Sequence, residues 1–364
     1  MQKIAFIGYY KTFRYQDIGG QNSIVRRISN SMSANREIFH LSYGIESKRF
    51  NASINGIKQH HFVNFRSMLH FAYENDILDL IIVYLKPVDY LKLLTFRIFH
   101  ETMTFHALIT GMSSTFLKRT IYKLTTRRVV NGKIFCVSKR LASVFETCGE
   151  RVIHILPPVD DSFFCDMSFR DKKIPKKIRI AFMGRIDHGK GADIAIKFFE
   201  NCTLPPERFE FFLYGYPLES DARSLAIHNK LLDKNCTINY VQTLLWNGYS
   251  PKVDEFLSSI IDEVDLFYLP YRTINSTIDT PLVPLEILSR GGIFLTTDFQ
   301  QLRDITYDKQ FIQPFSETSK ISVIEDRILR LLNEHDPQSQ SRFLEELDFK
   351  TSSVASLLER SICE

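Results

Sequence analysis

The segment from 178 to 200, IRIAFMGRIDHGKGADIAIKFFE, restricts the fold more than any other part of the chain. Ile178 to Met183 form a short apolar run closed by Gly184, the pattern of a buried strand. From Gly191 onward Ile194, Ala195, Phe198 and Phe199 recur at helical spacing, and Asp193, Lys197 and Glu200 are left for water. A strand that feeds a helix through a tight turn is the unit from which parallel sheets are built. Arg185 and Lys190 lie in that turn. The carboxyl end of such a strand and the mouth of the next helix are where free N–H groups and the helix dipole favour anions. A guanidinium fork beside a mobile ammonium suits a diphosphate better than a single carboxylate. Two readings stay open from these residues: solvated cations on a connecting turn, or a diphosphate site.

The same alternation extends over the chain. KIAFIGYY reads as a first strand, followed by a loop ending in Gly19 and Gly20 and a helix whose stripe is Ile24, Val25, Ile28 and Met32. Paired glycines at a helix entrance allow close backbone approach to a ligand, or a plain turn. Strands are expected at EIFHLSY, IKQHHFV and DLIIVYL, with a helix around 66–75. After Pro87 a helical segment is expected to lead into a strand, TFRIFHE, which would put His100 at a strand's end. KIFCVS is a further strand, and FRDKKIPKKIR (169–179) reads as a charged linker. Beyond it FEFFLYG, TINYVQ, DLFYLPY and IFLTT alternate with helical segments. Glu286 is expected in the first turn of a helix beginning near Pro284, with the amides of Leu282 and Val283 just before it.

Composition sets the remaining bounds. The chain has 364 residues, 44% hydrophobic and 24% charged, enough for two domains with full cores. A net charge of +4 is too small to argue for nucleic acid. The six cysteines form no CxxC pair, which fits a reducing, cytoplasmic setting. DLIIVYLKPVDYLKLL is broken by Lys86 and Pro87, so no bilayer span is expected. In the helical stretch 113–128, Phe116, Leu117, Ile121 and Leu124 are interleaved with Lys118, Arg119, Lys123, Arg127 and Arg128. That mixture suits peripheral contact with anionic lipid as well as a solvated helix face. No Asp-x-Asp or clustered His, Cys and Glu set implies a metal or other cofactor.

GG at a helix entrance, VSKRLASVF with ILPPVDDSFF, GRIDHGKGAD, DLFYLP, LVPLEILSRGGIFLTT and the closing FKTSSVASLLERS together resemble glycosyltransferase family 4. The resemblance implies a GT-B fold, with two Rossmann-like parallel-sheet domains facing a central cleft. It implies an acceptor-side domain over 1–168, a linker, a nucleotide-sugar-binding domain over 180–349, and a C-terminal helix, 350–364, returning to the first domain. It further implies a retaining, metal-independent transferase taking a UDP- or GDP-sugar and a glycan or lipid-linked acceptor. Arg185 and Lys190 would then hold the donor diphosphate, Glu286 the ribose, and Gly20 and His100 would face the donor sugar and acceptor. One position departs: the earlier of the family's two glutamates falls on Ile278, so that either the adjacent Asp279 supplies the carboxylate after a local shift, or the sugar is held differently, or activity is reduced. Two alternatives stay open, a catalytically silent nucleotide-binding subunit and a nucleotide-sugar epimerase of the same fold.

Overall fold

A computed structural model describes residues 2–9, 20–44, 51–112, 115–164, 177–218, 221–233, 236–243, 253–273, 279–298, 320–334 and 346–364. Most of the 169–179 linker, Gly19 and Ile278 lie outside these residues. The chain divides into two compact units, one comprising Met1–Pro158 with Asp348–Glu364, the other Val159–Leu347.

The first unit runs β1 (Lys3–Tyr9), α1 (Gly20–Met32), β2 (Glu37–Tyr43), β3 (Asn51–Ile54), β4 (Ile57–Phe62), α2 (Phe65–Glu74), β5 (Asp79–Tyr84) and α3 (Pro87–Phe99). It continues through β6 (Thr104–Ile109), α4 (Phe116–Val129), β7 (Ile134–Cys136), α5 (Lys139–Phe145) and β8 (Val152–His154). The sheet order is β3-β4-β2-β1-β5-β6-β7-β8, parallel except for the β3–β4 hairpin. β1 lies inside, paired with β2 and β5, and its Ile4, Ala5, Phe6 and Ile7 are buried, as an apolar run flanked on both sides requires. The C-terminal helix Thr351–Cys363 packs against α1 in this unit.

The second unit contains β9 (Ile178–Ile186), α6 (Ala192–Asn201), β10 (Phe209–Pro217), α7 (Ala222–Leu231), β11 (Asn239–Gln242) and α8 (Val253–Glu263). β12 (Leu266–Leu269), α9 (Leu282–Ser289), β13 (Phe294–Thr296) and α10 (Ile321–Glu334) follow. Its five parallel strands are ordered β11-β10-β9-β12-β13. The core joins Ile180 and Phe182 of β9 to Phe198 and Phe199 of α6, Leu213 of β10 and Tyr268 of β12.

Residues 159–164 belong to this unit although the sequence places them before the linker. The reason is local. Arg290, capping α9, donates to the Ser162 carbonyl (3.2 Å) and grips Asp262 with two bonds of 2.8 and 2.6 Å. On the other side of the division Arg27 Nη1 donates to the Pro158 carbonyl (3.0 Å), fixing that residue to the first unit. The composition-based boundary at 168 follows the charged segment, whereas the division between the two compact units falls at 158/159.

Candidate functional site

In the second unit the site is built on the carboxyl end of β9. Arg185 is the penultimate residue of the strand, and its Nε donates to Asp187 Oδ2. The other oxygen of Asp187 accepts the Lys190 amide at 2.8 Å, so one buried carboxylate holds both the guanidinium and the turn. Gly191 ends the turn with φ 71°, and a Cβ there would stand 1.8 Å from the Pro270 carbonyl oxygen. Only glycine allows the turn to press against the residue that follows β12. Arg272 completes this wall. Its amide donates to Gly189 O (2.9 Å), and its guanidinium binds Asp193 with bonds of 2.6 and 2.9 Å.

Lys190 Nζ lies 4.5 Å from the centre of the Tyr271 ring. Burial pulls its pKa down to about 8, the Arg185 charge acts in the same direction, and Asp187 and Glu286 oppose both. Tyr271 is fully buried, and burial, with Glu286 and Asp187 nearby, pushes its phenol well above the ordinary value. Arg185, Asp187, Lys190, Tyr271 and Glu286 therefore share one electrostatic neighbourhood, with two cations set against two carboxylates.

The helix carrying Glu286 starts earlier than its sequence suggests. α9 begins at Leu282 behind the N-cap Pro281, so Pro284 is its third residue rather than its start. Leu282 and Val283 thus occupy the first turn, where backbone amides have no partner within the helix. Glu286 falls in the second turn, 3% exposed, and faces the interior instead of supporting the helix N-terminus. Asp279 is buried two residues before the cap.

In the first unit Gly20 opens α1, and the Gln21 side chain donates to the Val83 carbonyl near the carboxyl end of β5 (3.2 Å). His100 is not at a strand's carboxyl end. Residues 95–99 continue α3, His100 caps that helix, and β6 begins only at Thr104. His100 consequently lies on the amino-terminal side of the sheet, packed on Phe96 (4.1 Å) and Tyr73 (4.2 Å), away from the rim where strands end. Sequence reasoning missed what the rim does carry. Tyr43 donates to Asp89 (2.5 Å), and Lys86 Nζ stands 4.0 Å from the Tyr9 ring centre. It also missed Asp187, Tyr271 and Arg272; an aspartate two residues after Arg185, three before Lys190, is the spacing of a side chain that closes its own turn.

No family model matches the chain, and no curated protein matches it. Solved structures do. The chain is similar to Anabaena HepE in complex with UDP and glucose (TM-score 0.70, 10% identity, covering 100% of both chains). It is also similar to sucrose-phosphate synthase from Thermosynechococcus elongatus (TM-score 0.70, 12% identity, covering 99% of this chain and 98% of that one). A third is the lipopolysaccharide outer core galactosyltransferase WaaB in its apo form (TM-score 0.65, 13% identity, 99% of each). At such identities the likeness is one of fold: two parallel-sheet α/β domains of the GT-B class. It does not reach the level of family 4.

Proposed function

We propose that the chain is a retaining glycosyltransferase of family 4 type. It moves a hexosyl group from a UDP- or GDP-sugar to a hydroxyl of a glycan or lipid-linked acceptor, in cell-surface glycan, lipopolysaccharide or glycoconjugate assembly. The observation that carries this reading is the pairing of Arg185 and Lys190 at the carboxyl end of β9, the first held by Asp187 and the second beside Glu286. Similar folds bound to UDP and glucose, or named as a galactosyltransferase, support the class of donor.

The sugar–phosphate bond breaks as the acceptor oxygen bonds to the same face of the sugar, and the acceptor's proton passes to the departing phosphate. Negative charge grows on the diphosphate during that step. Arg185, Lys190 and the amides of Leu282 and Val283 stabilise it, the work a divalent metal does elsewhere. Glu286 accepts hydrogen bonds from the ribose hydroxyls, and Asp279 binds the donor sugar. His100 takes no part, because it caps α3 on the opposite edge of its sheet.

Incubation with UDP-, GDP- and ADP-sugars, with and without hydroxyl acceptors, tests the reading. The expected result is acceptor-dependent release of nucleoside diphosphate and a product with the donor's anomeric configuration. The apolar Ile278 favours a second reading, a nucleotide-binding subunit without turnover. Binding with no release for any donor and acceptor would select it, and an isomerised donor without acceptor would select the epimerase.

A further inference from the structure

The first unit carries an apolar surface that its own packing leaves uncovered. α3 and α4 run side by side: the rings of Tyr90 and Tyr122 meet edge to face at 5.9 Å, and Arg97 Nη1 donates to the carbonyls of Arg128 and Val129, each at 3.0 Å. The inner faces bury Tyr90, Leu93, Phe96, Thr126 and Val129. The outer faces expose Val88, Leu91, Ile98 and Phe99 on α3, and Phe116, Leu117, Ile121 and Leu124 on α4. Phe99 is 76% exposed, Phe116 72% and Leu117 66%. Scattered exposed apolar residues need no explanation, but these share two adjoining helices, with Leu117, Ile121 and Leu124 at i, i+4 and i+7 of one stripe.

Charge identifies the occupant. α4 holds Lys118, Arg119, Lys123, Arg127 and Arg128 and no acidic residue, and α3 adds Lys92 and Arg97. The one acid within either helix, Asp89, is buried and bonded to Tyr43 and Lys92. Long basic side chains beside an apolar stripe can lay their stems along it and hold their charges at an anionic headgroup layer. A second copy of the chain would bring like charge against like charge on this face.

We infer that the outer faces of α3 and α4 dock on a membrane surface rich in anionic lipid. The contact is peripheral: no described helix is long and apolar enough to cross a membrane. The inference rests on the first unit alone and is independent of the donor-site reading. It is tested with the full chain by co-sedimentation with vesicles of phosphatidylglycerol and phosphatidylcholine in equal parts, against phosphatidylcholine alone. Binding to the anionic vesicles is expected, weakening with salt. It should fall about tenfold or more in Lys118→Ala/Arg128→Ala and in Leu117→Ser/Leu124→Ser. These side chains are exposed, so the melting temperature should hold; single Phe99→Ser and Leu117→Ser variants serve if a double variant melts early. No binding to anionic vesicles, or equal binding by all variants, overturns the inference. So does a dimer formed without lipid that the serine substitutions dissociate, which would assign the surface to a second copy.

Discussion

Both units are built from the same alternation of strand and helix, yet they place their ionisable groups differently. In the second, buried and half-buried charges gather at one strand end: Arg185, Asp187, Lys190 and Glu286 lie within reach of each other's fields. In the first, buried polar groups hold the scaffold together. His40 pairs with Ser29 (2.8 Å) and His61 with Ser42 (2.9 Å), well inside the core. A charge cluster kept in a folded protein at a desolvation cost is what a binding site requires, whereas histidine–hydroxyl pairs inside a core serve the packing of the sheet and its helices. The shared topology sets where a site can lie, and the side chains set what each strand end holds.

The sharpest contrast is between two glycines with similar backbone angles. Gly191 (φ 71°) faces the Pro270 carbonyl, and Gly56 (φ 77°) has nothing within 4 Å of an added Cβ. Gly191→Ala should therefore cost on the order of 3 kcal/mol or more, and Gly56→Ala only about 1 kcal/mol from its backbone angle. Urea denaturation of both variants checks this, and equal costs would break the claim that the turn is locked against β12.

Next in size is the loss of either cation. Arg185→Ala and Lys190→Ala should each lower kcat/KM for the donor by about 2 kcal/mol, roughly thirtyfold, with the fold intact. Lys123→Ala in the first unit should leave kcat/KM for the nucleotide sugar unchanged. Indifference to both second-unit substitutions would remove the diphosphate assignment.

A smaller effect separates the units by pH. Burial lowers the His40 pKa to about 3 from 6.5, so the unfolded chain takes up a proton that the folded first unit refuses. The contribution of His40 is complete above 6.5 and is lost progressively as pH falls toward 3. Between pH 7 and 5.5 the loss should be about 1 kcal/mol. It should be absent from His40→Gln, by comparison of urea midpoints at the two pH values.

Lys190 supplies the smallest shift, with the opposite dependence. Its pKa of about 8 means that the free protein loses this charge as pH rises, so donor affinity should fall about threefold from pH 7.5 to 8.5. Lys190→Arg should keep affinity flat over that range, as titration calorimetry at both pH values would show.

Much of the second unit was legible because its strands are nearly unbroken apolar runs. The stretch from Ile178 to Met183 fixed the start of β9, which runs on past Gly184 through Arg185 to Ile186, and the stripe from Ile194 to Phe199 fixed α6. The first unit misled at 95–99, where Phe96, Ile98 and Phe99 form an apolar run readable at either period. Only Phe96 faces inward, and Ile98 and Phe99 are exposed on a helix. The strand that follows, β6, was hidden by His106, a polar residue buried through its bonds to Asp79 (3.5 Å) and the Lys133 amide (3.0 Å). The start of α9 was misplaced because proline favours the first helical position, and here it stands third. Tyr271 could not be identified from spacing alone, since its role depends on a turn meeting the chain beyond β12, whereas Asp187 is legible from its place between Arg185 and Lys190.

The most direct test of the donor site is titration calorimetry of the full chain with UDP, GDP and ADP, repeated on Arg185→Ala/Lys190→Ala. At least one nucleoside diphosphate should bind, and the double variant should lose affinity for it by about a hundredfold or more. Equal affinity in both proteins, or no binding of any of the three, would contradict the account.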